Sequence, residues 1–279
     1  MKMKKAAYPY IIWLIIFVAI PLLLVIYFGL TVGDSQDFST FRFSLDNFKR
    51  FLTPTYLKVL GRSVNLAFVS TVICLILGYP MAYIISKKKA SKRNVMVLMF
   101  VIPMWMNFLL RTYAWLTILG KNGIINIIIM KIGLQPLDLL YNDKAVLLGM
   151  VYNFLPFMVL PIYSVLVKMN TSLIEAAEDL GANKTQVFTR VVFPLSLSGV
   201  VTGITMVFIP ALSTFVISSL LGGNKYNLIG NLIEQQFRWT GDWHFGSTMS
   251  LILMLFIVVS SVLTSRFDKE KEGGGGGLW

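Results

Sequence analysis

The sequence predicts an all-α integral membrane protein with six transmembrane helices and both termini on the cytoplasmic side. Hydrophobic residues make up 56% of the 279 residues, and the mean hydropathy is +0.72. Charged residues are only 14%, where soluble domains carry about a quarter. Runs of about twenty apolar residues, the length that crosses a bilayer as a helix, recur along the chain. In hydrocarbon each run must satisfy its own backbone hydrogen bonds, so each is read as helical.

Taken in order, the first span covers about 8–30 and follows Lys2, Lys4 and Lys5. It is too long, and lacks the small-residue cleavage site, for an ordinary removed signal peptide. The second, about 63–85, holds Cys74, the only cysteine. The chain therefore has no internal disulfide and no cysteine metal cluster, and Cys74 is expected to pack. A tight turn rich in Lys87, Lys88, Lys89, Lys92 and Arg93 leads to the third span, about 94–119. The fourth covers about 145–167. A polar, helix-forming stretch at 168–196 precedes the fifth, about 197–220. The sixth, about 246–265, closes the set. The glycine-rich tail at 273–279 reads as a linker remnant without a functional role.

Lysine and arginine density sets the orientation. The N-terminal lysines, the turn after span two, Lys168, Lys184 and Arg190 in the polar stretch, and Arg266, Lys269 and Lys271 after span six all fall on one side of a six-span arrangement. That side is cytoplasmic by the positive-inside rule. The opposite loops are longer and also carry Asp34, Asp37, Asp46, Asp138, Asp143, Glu234 and Asp242. The formal charge of +12 is accounted for by anionic membrane lipid beside the span ends. No basic patch interleaved with exposed aromatics lies on a soluble domain, so nucleic acid is not an expected partner.

The chain offers no catalytic set and is not expected to be an enzyme. It has no GxxxxGK[ST] phosphate loop. His244 is its single histidine, expected as an interfacial side chain beside Trp243 rather than a metal ligand. The spans hold almost no ionisable residue away from their ends, whereas gradient-driven transporters commonly use intramembrane carboxylates. That points to an external motor. Prolines at 21, 80, 103, 156, 161 and 210 interrupt most spans. They mark either ordinary membrane-helix irregularity or a mid-membrane cavity, the second reading being favoured for Pro103 and Pro156. Within span three, Trp105 and Asn107 can hold a cation by ring face and carbonyl, or pack between helices. Arg111 is expected to snorkel or to pair with an outer carboxylate. Gly199 and Gly203 form a GxxxG at the start of span five, fit for close helix packing within the chain or against a partner.

The most informative stretch is EAAEDLGANKTQVFTRVVFP, residues 175–194. Glu175, Ala176, Ala177 and Glu178 favour helix, Thr171 or Ser172 can cap it with Glu175 placed for a capping box, and Gly181 suits a left-handed residue that ends it. A second helical run is expected from about Lys184. This stretch resembles the EAA loop of bacterial ABC importer permeases. Glu175, Ala176, Ala177, Gly181 and Pro194 match its spacing, while Val191 and Phe193 stand in for the usual Ile and Leu. The segments 221–233, 241–247 and 155–166 are similar to the spermidine/putrescine (PotB-type) permeases, a likeness that runs from about residue 8 to 265.

The resemblance implies a type I ABC importer permease architecture and half of a translocation pathway. It further implies a second, PotC-like permease, an ATPase subunit dimer docked at the EAA loop, an extracytoplasmic substrate-binding protein and a polyamine substrate. ATP and Mg would belong to the ATPase partner, with no cofactor in this chain, and the location would be the bacterial cytoplasmic membrane. Candidate pathway residues are Trp105, Asn107, Tyr152, Glu234 and Asp242, the two acids lying among outer-loop aromatics that read either as an interfacial belt or as a mouth suited to an amine. Other small organic cations or opines share much of the pattern. A gradient-driven transporter and a membrane scaffold or enzyme subunit stand as the other classes.

Overall fold

The computed structural model describes residues 8–34, 38–223 and 227–272. The N-terminal lysines, Asp37 and the glycine tail lie outside the described residues. The first long helix is α1 (Tyr8–Gly29), which contains a π-turn at Ile15–Ala19. A two-residue antiparallel pairing of β1 (Thr31–Val32) with β2 (Arg42–Phe43) follows. The chain continues through α2 (Asp46–Phe51), α3 (Pro54–Ser86), α4 (Ala90–Trp105), α5 (Phe108–Leu119), α6 (Ile124–Lys131) and α7 (Asp143–Lys168). It ends with α8 (Thr171–Asp179), α9 (Lys184–Ser213), α10 (Val216–Gly222), α11 (Ile229–Gln235) and α12 (Trp243–Glu272).

Six of these segments are long and apolar enough to cross a membrane. Their outward faces are apolar and open, with Ile76, Leu110, Leu255 and Leu263 all exposed, as lipid contact requires.

The core is the packing of α3, α7 and α9. Ala67, Cys74 and Ala82 from α3, Met150, Met158 and Ile162 from α7, and Val207 and Ala211 from α9 are all buried there. Cys74 thus packs as expected, free and buried. Lipid gives apolar side chains no reason to leave it, so close contact must come from small residues and interhelical hydrogen bonds. Both are present. A Cβ added at Gly199 would lie 2.9 Å from the Pro161 carbonyl oxygen, and one at Gly203 would lie 2.7 Å from Met158 Sδ. Gly78 approaches Met158 from α3. Tyr79 and Ser196 share a buried hydrogen bond of 2.8 Å between α3 and α9. The GxxxG is therefore spent on packing inside this chain and does not form a free surface for a partner.

Two expected spans are corrected. Span three is not one helix over 94–119. Helix α4 ends at Trp105, Met106 is extended, and Asn107 caps α5 by accepting from the Leu109 N–H at 2.8 Å. An asparagine that satisfies a free N–H offers the backbone an alternative to continued helix, and Pro103 has already removed one ladder bond. At 16 residues, α4 is about 24 Å long, short of the roughly 30 Å of hydrocarbon. By length and composition the candidate crossing segment is Phe108–Lys131, which comprises α5, a turn at Gly120–Gly123, and α6.

Span five does not begin at 197. Helix α9 starts inside the polar stretch at Lys184 and runs through Pro194 to Ser213. A π-turn at Phe188–Val192, in which the Phe193 N–H donates to the Phe188 carbonyl, lies directly before the proline. That wider turn accommodates a ring that would clash with the preceding carbonyl of a regular α-helix. The helix then breaks at Thr214, which is extended, before α10. Pro156 is buried within a continuous α7.

Because Gly199 faces backbone atoms of α7, Gly199→Leu is expected to cost about 1–3 kcal/mol by overpacking. It should lower the melting temperature and the yield of the purified protein. Gly61→Ala, where no atom lies within 4 Å of the added Cβ, is the control and should lower neither, since alanine is the better helix former.

Candidate functional site

Two regions carry the chemistry, at opposite ends of α7 and α9. At about 1.5 Å per residue, the 30 residues of α9 separate them by some 45 Å.

The first is the helical hairpin α8–α9. Its start is capped by Asn170, whose Oδ1 accepts from the Ser172 N–H at 3.1 Å. The expected cap at Thr171 or Ser172 with Glu175 completing a box is therefore corrected: Thr171 is already helical, and Glu175 lies beyond the first turn. The end follows the expectation. Gly181 is left-handed, with φ +83°. The Gly181 N–H donates to the Glu178 carbonyl at 2.9 Å, and the Ala182 N–H to the Ala177 carbonyl at 3.0 Å. This is the paired closure of a Schellman turn. The next helix starts two residues on, with a reciprocal box in which the Asn183 and Gln186 side chains each accept from the other's backbone at 2.9 Å.

Both caps stiffen the corner. Its tip is Leu180, 88% exposed, above a cavity of about 400 Å³ lined by Ala177, Gly181, Ala182, Gln186 and Arg190. Glu175 and Ala176 are exposed and Ala177 half-buried on the same short helix, while Pro194 is half-buried beyond the π-turn. The turn thus presents an exposed leucine beside a notch.

The second region is formed by α10, α11 and the start of α12. A cavity of about 350 Å³ is walled by Ser219, Asn227, Asn231, Glu234, Gln235 and Trp239. Asn231 organises it. Its amide donates to the Phe215 carbonyl at 2.9 Å and to Ser219 Oγ at 2.7 Å, and its Oδ1 accepts from the Leu228 N–H at 3.0 Å. The Ile229 N–H donates to buried Ser63 Oγ at 2.8 Å, tying α11 to α3. Glu234 accepts from Arg238 at 2.9 Å.

The other expected pathway residues do not join this cavity. Asp242 is corrected to a structural role. It accepts from Arg50 at 2.7 Å and from the Phe245 N–H at 3.0 Å, so it caps α12 while bridging to α2. The Arg50 guanidinium also stacks over the Phe245 ring at 3.9 Å. Burial works against the Arg50 charge, but the Asp242 hydrogen bond and the fields of Tyr56 and Asp242 outweigh it and hold its pKa above the ordinary value. Tyr152, in the first half of α7, meets Trp115 edge-on at 5.3 Å. Trp105 is 79% exposed and Asn107 is exposed, both at the α4–α5 break. That face lies open along the chain.

Two further expectations change. Arg111 is buried and neither snorkels nor meets a carboxylate among the described residues; Phe108 lies 6.0 Å from its guanidinium. His244 is buried rather than interfacial. Its Nδ1 lies 3.0 Å from the Phe28 carbonyl and 3.1 Å from Thr31 Oγ1, and its ring meets Phe41 edge-on at 4.5 Å. It clamps the end of α1 to the start of α12. Among the described residues no group of three His, Cys, Asp or Glu side chains could hold a metal ion.

Residues 3–272 match the model of the binding-protein-dependent transport system inner membrane component family. The chain is 39% identical over 268 residues to the spermidine/putrescine transport system permease protein PotB of Escherichia coli K12, covering 92% of this chain and 98% of that protein. It is 38% identical to the PotB of Haemophilus influenzae, covering 92% and 91%. Among solved structures it is similar to a bacterial ABC transporter that imports the acidic polysaccharide alginate, with TM-score 0.80, 15% identity and coverage of 96% and 95%.

Asp242→Ala removes a helix cap and an ion pair together. The expected cost is about 1–2 kcal/mol, seen as a lower melting temperature in detergent. Asp242→Asn keeps a capping oxygen and should recover about half of the loss. Equal melting temperatures for Asp242→Ala and the parent would contradict the structural role.

Proposed function

The chain belongs to the family of binding-protein-dependent transport system inner membrane components, and from that premise we propose that it is the polyamine-importing permease of an ATP-driven complex. Six apolar helices and a match along nearly the whole of two spermidine/putrescine permeases carry this reading. As a permease subunit the chain is a transport component and not an enzyme. ATP and Mg would be bound by a separate ATPase dimer, seated on the α8–α9 hairpin at the cytoplasmic face. A second, PotC-like permease would complete the pathway, and an extracytoplasmic binding protein would deliver spermidine or putrescine to the opposite end.

Each part has a physical role in that reading. The hairpin's two caps and left-handed Gly181 hold Glu175, Ala176, Ala177 and Leu180 in fixed register. A rigid knob of this kind transmits a push instead of absorbing it. Helix α9 carries the push in one piece from Lys184 to Ser213, gripped against α7 by Gly199 and Gly203. At its far end it meets the elements that wall the polar cavity. The exposed Trp105 and Asn107 would face the second permease or the path between the subunits, where an aromatic face attracts an alkylammonium.

Coupling is tested at Gly181. No atom lies within 4 Å of an added Cβ there, so a substitution acts through backbone conformation alone. A β-branched residue forced left-handed costs roughly 1–2 kcal/mol, enough to re-aim the knob. Gly181→Val is expected to abolish uptake and to reduce or uncouple ATPase activity, while the complex still assembles in membranes. Normal uptake with normal substrate-stimulated ATPase activity would sink the coupling assignment.

The pathway is tested at Trp105. Trp105→Leu keeps apolar bulk without the ring's negative face, and Trp105→Phe keeps a weaker one. A contact worth about 0.5–2 kcal/mol should give a several-fold loss of labelled spermidine uptake in the Leu variant and a smaller loss in the Phe variant. Equal uptake in the two would assign Trp105 to packing.

A further inference from the structure

Glu234 stands in the wall of two cavities of opposite character. On one side is the polar cavity of about 350 Å³ with Ser219, Asn231 and Gln235. On the other is an apolar cavity of about 510 Å³ lined by Phe215, Ile233, Phe237, Leu253 and Met254. Arg238, one turn along, lines the apolar cavity and reaches back to Glu234 at 2.9 Å. The pair is unequal: the Arg238 side chain is 69% exposed, whereas that of Glu234 is 22% exposed. The carboxylate is the fixed member, half-enclosed by the fold, and the guanidinium is the loose one.

The geometry points to Glu234 as an ammonium subsite whose counter-ion, Arg238, is displaced when an alkyl-polyamine enters. This deepens the polyamine reading and rests on it. A polyamine alternates cationic nitrogens with methylene runs. A carboxylate between an amide-lined cavity and an apolar one matches that alternation. One ammonium would take the Glu234 oxygens, the methylene run would lie along Phe215 and Phe237, and a neighbouring ammonium would take the Gln235 amide oxygen and the Ser219 hydroxyl, since Asn231 Oδ1 already accepts from the Leu228 N–H and the Ser218 hydroxyl. The exposed indole of Trp239 adds a ring face at the rim of the polar cavity.

Arg238 has a distinct task in this scheme. Without it, Glu234 would be a partly buried, uncompensated carboxylate in the empty state, which is costly. With it, the subsite is neutral when empty, and an incoming ammonium exchanges with an internal cation at little electrostatic cost. A small monovalent metal ion cannot fill the apolar cavity and so gains less from the exchange. The arginine thus sets a threshold that a longer organic cation passes more easily.

The test is binding of labelled spermidine to the purified permease–ATPase complex without its binding protein, in the parent and in Glu234→Gln, Glu234→Asp, Arg238→Gln and the double Glu234→Gln/Arg238→Gln. Glu234→Gln is expected to weaken binding about three- to tenfold. Arg238→Gln is expected to tighten it by a similar factor, because the internal competitor is gone. The double variant should fall close to Glu234→Gln alone. Glu234→Asp retains the charge and should bind within about threefold of the parent, which keeps the test open where the glutamine variant assembles poorly. Glu234→Gln and Arg238→Gln moving affinity in the same direction would overturn the inference, as would absence of spermidine binding to the assembled parent complex. Uptake by the complete importer with loaded binding protein is read alongside. Parent complexes that import no polyamine would sink the polyamine reading itself; normal parent uptake with spermidine binding indifferent to Glu234 would remove only the subsite.

Discussion

The close contact between α7 and α9 is the constraint on which the rest depends. Apolar side chains are as comfortable in lipid as against each other, so nothing but close approach and polar pairing holds these helices together. Gly199 and Gly203 allow the approach, bringing α9 against Pro161, Ile162 and Met158. The Tyr79–Ser196 hydrogen bond fixes α3 to the same seam. Loosen the seam and α9 is no longer a rod gripped along its length. The hairpin at one end and the polar cavity at the other would then become independent pieces.

Charge at the far end of the bundle is organised in pairs. Arg50 with Asp242, Arg62 with Asp143, Lys121 with Asp138, Lys49 with Asp46, and Arg238 with Glu234 all form ion pairs. Exposed pairs of this sort contribute little stability singly. Their placement matters more. The first two join segments distant in sequence, α2 to α12 and α3 to α7, and serve as latches across the end of the bundle. Glu234–Arg238 is local, between neighbours on one short helical stretch, and holds no distant elements together. It can open without unlatching the fold, which is what separates it from Asp242.

Much of the fold was legible because lipid imposes a simple rule on composition. Apolar runs of helical length gave the spans, and Gly181 announced its left-handed turn through the polar helix before it. What escaped was long-range pairing and local capping. Asp242 and Arg50 lie 192 residues apart, and no local pattern tells an acid that caps a helix from one that lines a mouth. His244 looked interfacial because it sits beside Trp243, yet its partners come from the end of α1. Asn107 looked like a polar residue within a span, but an asparagine also ends one helix and starts another. Asn170, just before the EAA stretch, was the true cap, and its type was the available signal. In the candidate pathway, Glu234 was visible as an acid near aromatics. Its partner Arg238 was in the same loop, but their relation needed the helical register of 229–240.

The π-turn at Phe188–Val192 has a consequence for how α9 is aimed. A regular α-helix advances about 100° of azimuth per residue, so one extra residue in a turn shifts the phase of everything beyond it. The side of α9 that continues the hairpin's surface is therefore rotated with respect to the side that Gly199 and Gly203 present to α7. Heptad-style counting from Lys184 into the membrane would assign the wrong residues to the seam. If the turn wound back to regular α geometry, the hairpin would swing about the helix axis while the gripped portion stayed in place. In this helix, torsion is a degree of freedom separate from translation, stored in five residues beside a proline that favours the unwound form.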